Sequence, residues 1–185
     1  MRGVSLIILV IFFCGASSAT AQFYQTTTAH VSFYSSAPVE DIEAVSTEGI
    51  SVINADNGTI SFKVKMRSFQ FEKGLMQEHF NENYVESEIY PHATFKGEFL
   101  EKIDLQITGS QENTIKGTFT VHGVSKEREI PVILNVLDGG QRINLSANFQ
   151  VACEAHKIKI PKILWKNIAE IIEVNVNADF QFISK

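Results

Sequence analysis

Cysteine is scarce in this chain: the 185 residues hold two, Cys14 and Cys153. With Cys14 in a leader that is cut away, as argued below, no disulfide can form within the mature chain, and stability must come from packing and strand pairing. Positive charge is also in short supply, with 16 Lys and Arg against 21 Asp and Glu and a net charge of −5. An acidic chain without a basic patch is a poor partner for nucleic acid or for anionic membrane surfaces. The sequence contains no G-x-S-x-G, no H-E-x-x-H, no glycine-rich phosphate loop and no C-x-x-C. An enzymatic reading therefore has no motif to rest on. Internal repeats, low-complexity stretches and linker-like segments are missing too, which makes one folded domain the economical reading.

The start of the chain reads as an address. Met1-Arg2 is a short positive opening, Val4 to Phe13 is almost wholly apolar, and Ala19-Thr20-Ala21 supplies small residues before Gln22. This is the pattern of a secretory signal peptide with an A-x-A-type cleavage site. The apolar run is about ten residues, roughly half of what a membrane-spanning helix needs, so stable membrane insertion is not expected. Acylation at Cys14 is the alternative, and the bulky Phe13 before it speaks against that site. Residues 1–21 are thus expected to be a leader and residues 22–185 the mature domain, periplasmic or secreted. The mature 164 residues carry 15 basic and 21 acidic side chains, net −6, and are enough for one core.

What the mature chain has in abundance is period two. Ile60, Phe62, Val64 and Met66 alternate with Ser61, Lys63, Lys65 and Arg67, which is a strand with one apolar and one wet face. The same alternation runs through Ile115, Gly117, Phe119 and Val121, then Ile130, Val132, Leu134 and Val136, then Ile143, Leu145, Ala147, Phe149 and Val151. It closes with Ile172, Val174, Val176, Ala178, Phe180 and Phe182. Turn signals at Asp56-Asn57-Gly58, His122-Gly123 and Asp138-Gly139-Gly140 separate these runs and imply hairpins. Phe23 to Thr27, Val31 to Tyr34, Ile42 to Ile53 and His92 to Phe99 are further strands with a less regular pattern, for about eight or nine in all. Strands with a single apolar face must close on themselves or pack as a sandwich, and closure removes the exposed edges. The expected fold is all-β, an antiparallel closed barrel.

Two segments leave the period. Glu72 to Glu86 places Met76, Phe80 and Tyr84 four residues apart with Leu75 beside them, an apolar stripe on one helix. Pro161 opens a shorter helical candidate, Lys162 to Ala169. Such insertions would cap or flank a barrel end, and the Met76, Phe80 and Tyr84 stripe fits both a lid over a ligand and packing on the outside. His30, His79, His92, His122 and His156 are scattered without the three- or four-residue spacing of a helical metal site. A haem or metal role for His79 or His92 is the least favoured reading. Cys153, ending an alternating strand, reads as a buried inert thiol.

From residue 62 onward the order of motifs resembles a known family. The strand Phe62 to Met66 leads to Ser68-Phe69, then to the helical stretch Met76-Gln77-Glu78-His79-Phe80-Asn81-Glu82-Asn83-Tyr84. Tyr90-Pro91-His92-Ala93-Thr94-Phe95-Lys96-Gly97 follows, and then Gly117-Thr118-Phe119-Thr120-Val121-His122-Gly123-Val124-Ser125-Lys126 with the strand around Ile130-Pro131-Val132. This is similar to the YceI-like family of exported proteins, from His30-Val31-Ser32-Phe33 to the closing strand. The chain departs from the commoner pattern in reading Met76-Gln77-Glu78-His79-Phe80 where an R-D-x-H-L helix start is usual, and in lacking R-x-x-F-G near Cys153.

The resemblance implies a lipocalin-like, eight-stranded barrel with an apolar tunnel, occupied in family members by polyisoprenoid or quinone-like molecules. The expectation is then binding, carriage or storage of an apolar small-molecule ligand, with no cofactor beyond that lipid, no catalytic residue and no metal. The residues expected to line its site are Phe62, Val64, Leu75, Met76, Phe80, Tyr84, Phe95, Phe119, Leu134, Phe149 and Val174. A barrel filled with its own side chains, serving a structural or stress-response role, is the alternative. Oligomeric state has no signature in the sequence.

Overall fold

The structure, a computed structural model, describes residues 22–36, 41–160 and 169–183. The expected leader, residues 1–21, and all but the last residue of the helix expected at Lys162 to Ala169 lie outside that range. The elements in order are β1 (Phe23–Ser35), β2 (Ile42–Asn54), β3 (Thr59–Lys65), β4 (Gln70–Phe71), α1 (Gly74–His79) continued by a π-helical turn (Phe80–Tyr84), β5 (His92–Phe99), β6 (Gly109–Val121), β7 (Val124–Leu137), β8 (Arg142–Ala152) and β9 (Ile171–Ile183). Eight strands pair in the order β1-β9-β8-β7-β6-β5-β3-β2, and antiparallel pairing of β1 with β2 closes the ring. The two residues of β4 add to β2 through Ala44 and Phe71. The fold is a closed eight-stranded antiparallel barrel with one extra strand.

The alternation sets which side of each strand is buried. Ile60 and Val64 of β3, Ile130, Val132, Leu134 and Val136 of β7, and Ile143 and Leu145 of β8 face inward and are buried. Phe62, Phe119 and Phe149 lie half-buried on the same interior. Where the sequence pattern loses its rhythm, the structure has a bulge. Phe23 to Thr27 and Val31 to Tyr34, expected as separate strands, are one strand, β1, with its register shifted between Thr26 and Ala29. Thr27 and Thr28 both face out there, so the buried set passes from Tyr24 and Thr26 to Ala29 and Val31. One extra residue moves every later side chain to the other face. β2 does the same at Thr47 and Glu48. The irregular stretches meet at Ala29 and Gly49, where a Cβ on Gly49 would sit 2.9 Å from the Ala29 Cβ and 3.0 Å from the Phe62 ring. Glycine is what lets the two strands approach beneath that ring.

One end of the barrel is shut by its own side chains. Tyr24, Ile53, Phe99, Ile103, Leu134, Ile143 and Phe180 pack there into one buried cluster. The Tyr24 hydroxyl donates to the Gly140 carbonyl at 2.6 Å, and its ring meets Phe182 edge-on at 5.6 Å. The opposite end carries the β6–β7 hairpin, α1 with its π turn, and the segment after β8. At the hairpin, His122 (φ 51°) and Gly123 (φ 69°) both take positive φ, the geometry of a two-residue turn that follows the strand twist. The His156 Nδ1 donates to the Val124 carbonyl at 3.0 Å, and the His122 Nδ1 donates to the His156 carbonyl at 3.0 Å. The segment after β8 is thereby tied to the top of β7.

Candidate ligand-binding cavity

Between the packed end and α1, the inward faces do not fill the barrel. They enclose an apolar cavity of about 280 Å³. Its walls are Val31 and Phe33 from β1, Phe62 and Val64 from β3, Ala93 and Phe95 from β5, and Phe119 and Val121 from β6. Ile130 and Val132 from β7, Ala147, Phe149 and Val151 from β8, and Val174 and Val176 from β9 complete the ring. Ile60, Ile115 and Leu145 also line it, next to the packed end.

The mouth is built by the helical insertion. Glu72 to Glu86 was expected to be helical throughout; the helix is shorter, Gly74–His79, and then widens into the π turn Phe80–Tyr84, marked by the Val85 N–H donating to the Phe80 carbonyl at 3.0 Å. Phe80 explains why the insertion sits where it does. Its ring stacks on Phe33 at 5.3 Å and meets Phe71 at 5.1 Å and Phe69 at 6.0 Å. Aromatic pairs of this kind each contribute about 0.5–1.5 kcal/mol beyond their buried area. The stripe faces into the cavity, so Met76, Phe80 and Tyr84 are part of its lining.

Polar atoms are few. Ser35, His79, Tyr84 and Cys153 are the lining residues with polar side chains among those described. The Ser35 Oγ accepts the Ala169 N–H at 2.8 Å and is thus already used. Burial raises the Tyr84 phenol above its ordinary range. Burial likewise pushes the Cys153 thiol up to about 11, against its own backbone hydrogen bond and with a smaller push from Glu170. A thiol held protonated is a poor nucleophile and a poor metal ligand.

Nine of the eleven residues expected at the site line this cavity: Phe62, Val64, Met76, Phe80, Tyr84, Phe95, Phe119, Phe149 and Val174. Leu134 does not; it lies on the same face of β7 but one inward step beyond Val132, fully buried in the packed end. Leu75 is 63% exposed, because its neighbour Met76 takes the inward position on the short helix. The sequence reading passed over Ile158 and Ile160, which line the cavity from the segment after β8 and whose spacing of two is a strand-like signal. It also passed over His79 as a lining residue, although that side chain falls on the same helical face as Met76. His79 is at the mouth, whereas His92 lies in an outer groove with Lys65 and Glu48. The two histidines are not brought together, and no cluster of three His, Cys, Asp or Glu able to hold a metal occurs among the described residues. No helix among the described residues is long and apolar enough to cross a membrane.

Several solved structures share this architecture. A polyisoprenoid binding domain from Saccharophagus degradans, implicated in plant cell wall breakdown, superposes with a TM-score of 0.74 at 14% identity, covering 88% of this chain and 98% of that one. BcnA of Burkholderia cenocepacia gives 0.67 at 14% identity, with 82% and 95% covered. A Campylobacter jejuni YCEI protein gives 0.56 at 17% identity, with 99% and 92% covered. At such identities the likeness establishes the fold. No curated protein matches the chain in sequence. The family model of the YceI-like domain matches residues 15–180, nearly the whole length, from before β1 into β9. The motifs at Tyr90-Pro91 and Gly117 to Lys126, the closed barrel and that match agree, and the chain belongs to the YceI-like domain family.

Proposed function

We propose that the protein is an exported carrier that takes an apolar lipid-like molecule, a polyisoprenoid or quinone-like chain, into the barrel and releases it chemically unchanged. The observation that supports this most is the contrast inside the barrel: a wall of aliphatic and aromatic side chains around an unfilled space, with four polar side chains among the described lining. Pockets of this make-up hold ligands by removing apolar surface from water, worth about 25 cal/mol per Å². The protonated Cys153 thiol supports carriage rather than reaction, since it offers no thiolate to attack a bound molecule. The S. degradans neighbour, a polyisoprenoid binding domain, supports the ligand class. The leader-like residues 1–21 support export.

The test is organic extraction of the protein purified from the extracytoplasmic fraction, with mass spectrometry of extract and protein. The expected result is a lipid with a long apolar chain at near-stoichiometric yield, from protein beginning at Gln22. An empty extract from protein isolated without detergent would refute the carrier reading, and an intact Met1 would refute export by cleavage.

A further inference from the structure

Three segments that border the open end meet on one imidazole. His122, in the β6–β7 hairpin, faces Glu86 Oε2 at 2.7 Å with its Nε2 and the His156 carbonyl at 3.0 Å with its Nδ1. Glu86 directly follows Val85, which caps the π turn of the helical insertion and lines the cavity. His156 comes shortly before Ile158 and Ile160, which line the cavity from the segment after β8. One side chain thus ties the insertion and that segment to the same hairpin. Both facing oxygens can only accept. A neutral imidazole has one N–H and satisfies one of them, whereas the imidazolium has two and satisfies both. The ring is 10% exposed, so water has little room to serve the contact that a neutral ring leaves unmet. Glu86 reaches the ring from a positive φ of 46°, a region that side chains other than glycine occupy at a cost and that recurs at clamps and switches.

The surroundings narrow down which group can work such a contact. Tyr90 lays its ring against His122 at 4.7 Å, in room left by the missing Cβ of Gly123. Lys126 and Arg128 of β7 bear on His156, with Glu154 and Lys157 beside it in the chain, and Arg67 bonds Ser87 and Glu88. Among these types of side chain, imidazole is the one that ordinarily changes charge between about pH 5.5 and 8.5. His156 acts in the opposite sense to His122, because burial favours its neutral form.

We infer that His122 is a proton-operated clasp on the cavity mouth: its imidazolium holds the insertion and the segment after β8 together, and the neutral ring lets go of one of them, so that an apolar occupant exchanges faster as pH rises. The occupant rests on the carrier reading above; the clasp adds how its passage is controlled.

The experiment loads the full mature protein with N-phenyl-1-naphthylamine, which stays uncharged over this range. Its release into excess phosphatidylcholine vesicles is followed by stopped-flow fluorescence between about pH 5.5 and 8.5. Release from the unaltered protein should quicken about tenfold across that window, the worth of one hydrogen bond to a charged group. The rise should follow a single proton, and the 15N shifts of the His122 ring should change at the same midpoint. His122→Gln should release at the fast rate throughout. Glu86→Gln supplies an amide that can accept from a ring N–H or donate to a bare ring nitrogen, so its rate should lose the step while the contact is kept. His156→Gln should keep the step. Equal stoichiometry of bound probe at saturation shows that each variant retains the cavity. A rate in the unaltered protein that is flat or falls with pH, a step that survives His122→Gln or Glu86→Gln, or a His122 ring that keeps one protonation state across the step would each overturn the clasp while leaving the carrier reading standing. Failure of the unaltered protein to bind the probe would overturn both.

Discussion

The two ends of the barrel are made from the same alternating strands and differ in what the alternation delivers. At the packed end, inward positions carry Tyr24, Ile53, Phe99, Leu134, Ile143 and Phe180, and the β5–β6 connection folds Ile103 in among them. At the other end, inward positions are often small, with Ala44, Ala93, Ala147 and Ser35, and Phe33, Phe69, Phe71 and Phe80 gather into an aromatic cluster at the mouth. The same period therefore makes a solid plug in one half and a lined space in the other. Side-chain volume rather than pattern separates core from binding site, because period two decides only which way a side chain points.

Substitutions at the two ends should accordingly fail in different ways. The largest expected loss is at the packed end: Phe180→Ala removes a fully buried ring and should cost about 3–5 kcal/mol in chemical denaturation, with lipid content per folded molecule unchanged. Replacing Met76 and Phe80 together with Ser strikes the open end. Because both are only partly buried, the ligand-free protein should lose about 1–3 kcal/mol, less than full burial would imply, while lipid retention collapses. Retention unchanged alongside a loss as large as that of Phe180→Ala would make the helix a piece of core and remove its role as a lid. A third, smaller effect is at Tyr24, whose bond to the Gly140 carbonyl should be worth about 1 kcal/mol in Tyr24→Phe, without change in ligand binding.

Acid should also distinguish the halves. His156, behind the open end, is held below the ordinary histidine range, first by burial and then by Arg128 and Lys126, against its hydrogen bonds to Val124 and Val121. A histidine whose folded value is depressed stabilises the fold in its neutral form. Its contribution is complete above the unfolded value of about 6.5 and is lost as pH falls below it toward the folded value. Denaturation midpoints of the native protein should drop over that window relative to His156→Gln, whose own midpoints should be flatter there. The smallest change is expected at Leu75→Ser on the exposed side of α1, within about 0.5 kcal/mol and with no effect on retention.

Much of this was legible in the residues. The clean runs at β3, β6, β7, β8 and β9 placed their inward faces without error, since a buried face and period two leave one register. What the sequence hid has a physical cause in each case. The bulges at Thr27-Thr28 and Thr47-Glu48 break the period locally, so β1 read as two strands. Leu134 and Val132 share a face and a side-chain type, and only depth along the barrel puts one in the plug and the other on the cavity wall. His79 gave no sign of a place on the cavity wall, because a helix that is apolar on one side and charged on the other does not announce a polar group among its inward positions. The π turn had no signal at all, since its winding depends on how Phe80 docks against Phe33, Phe69 and Phe71.

The central claim is that an apolar chain occupies the open half and leaves the packed half untouched. Methyl-labelled protein titrated with farnesol and followed by NMR tests it most directly. The account predicts shifts at Val31, Val64, Val121, Ala147 and Val176, which line the cavity, and none at Ile53, Leu134 and Ile143 in the plug. Shifts confined to the plug, or to the outward-facing Ile50 and Val52 of β2, would contradict it.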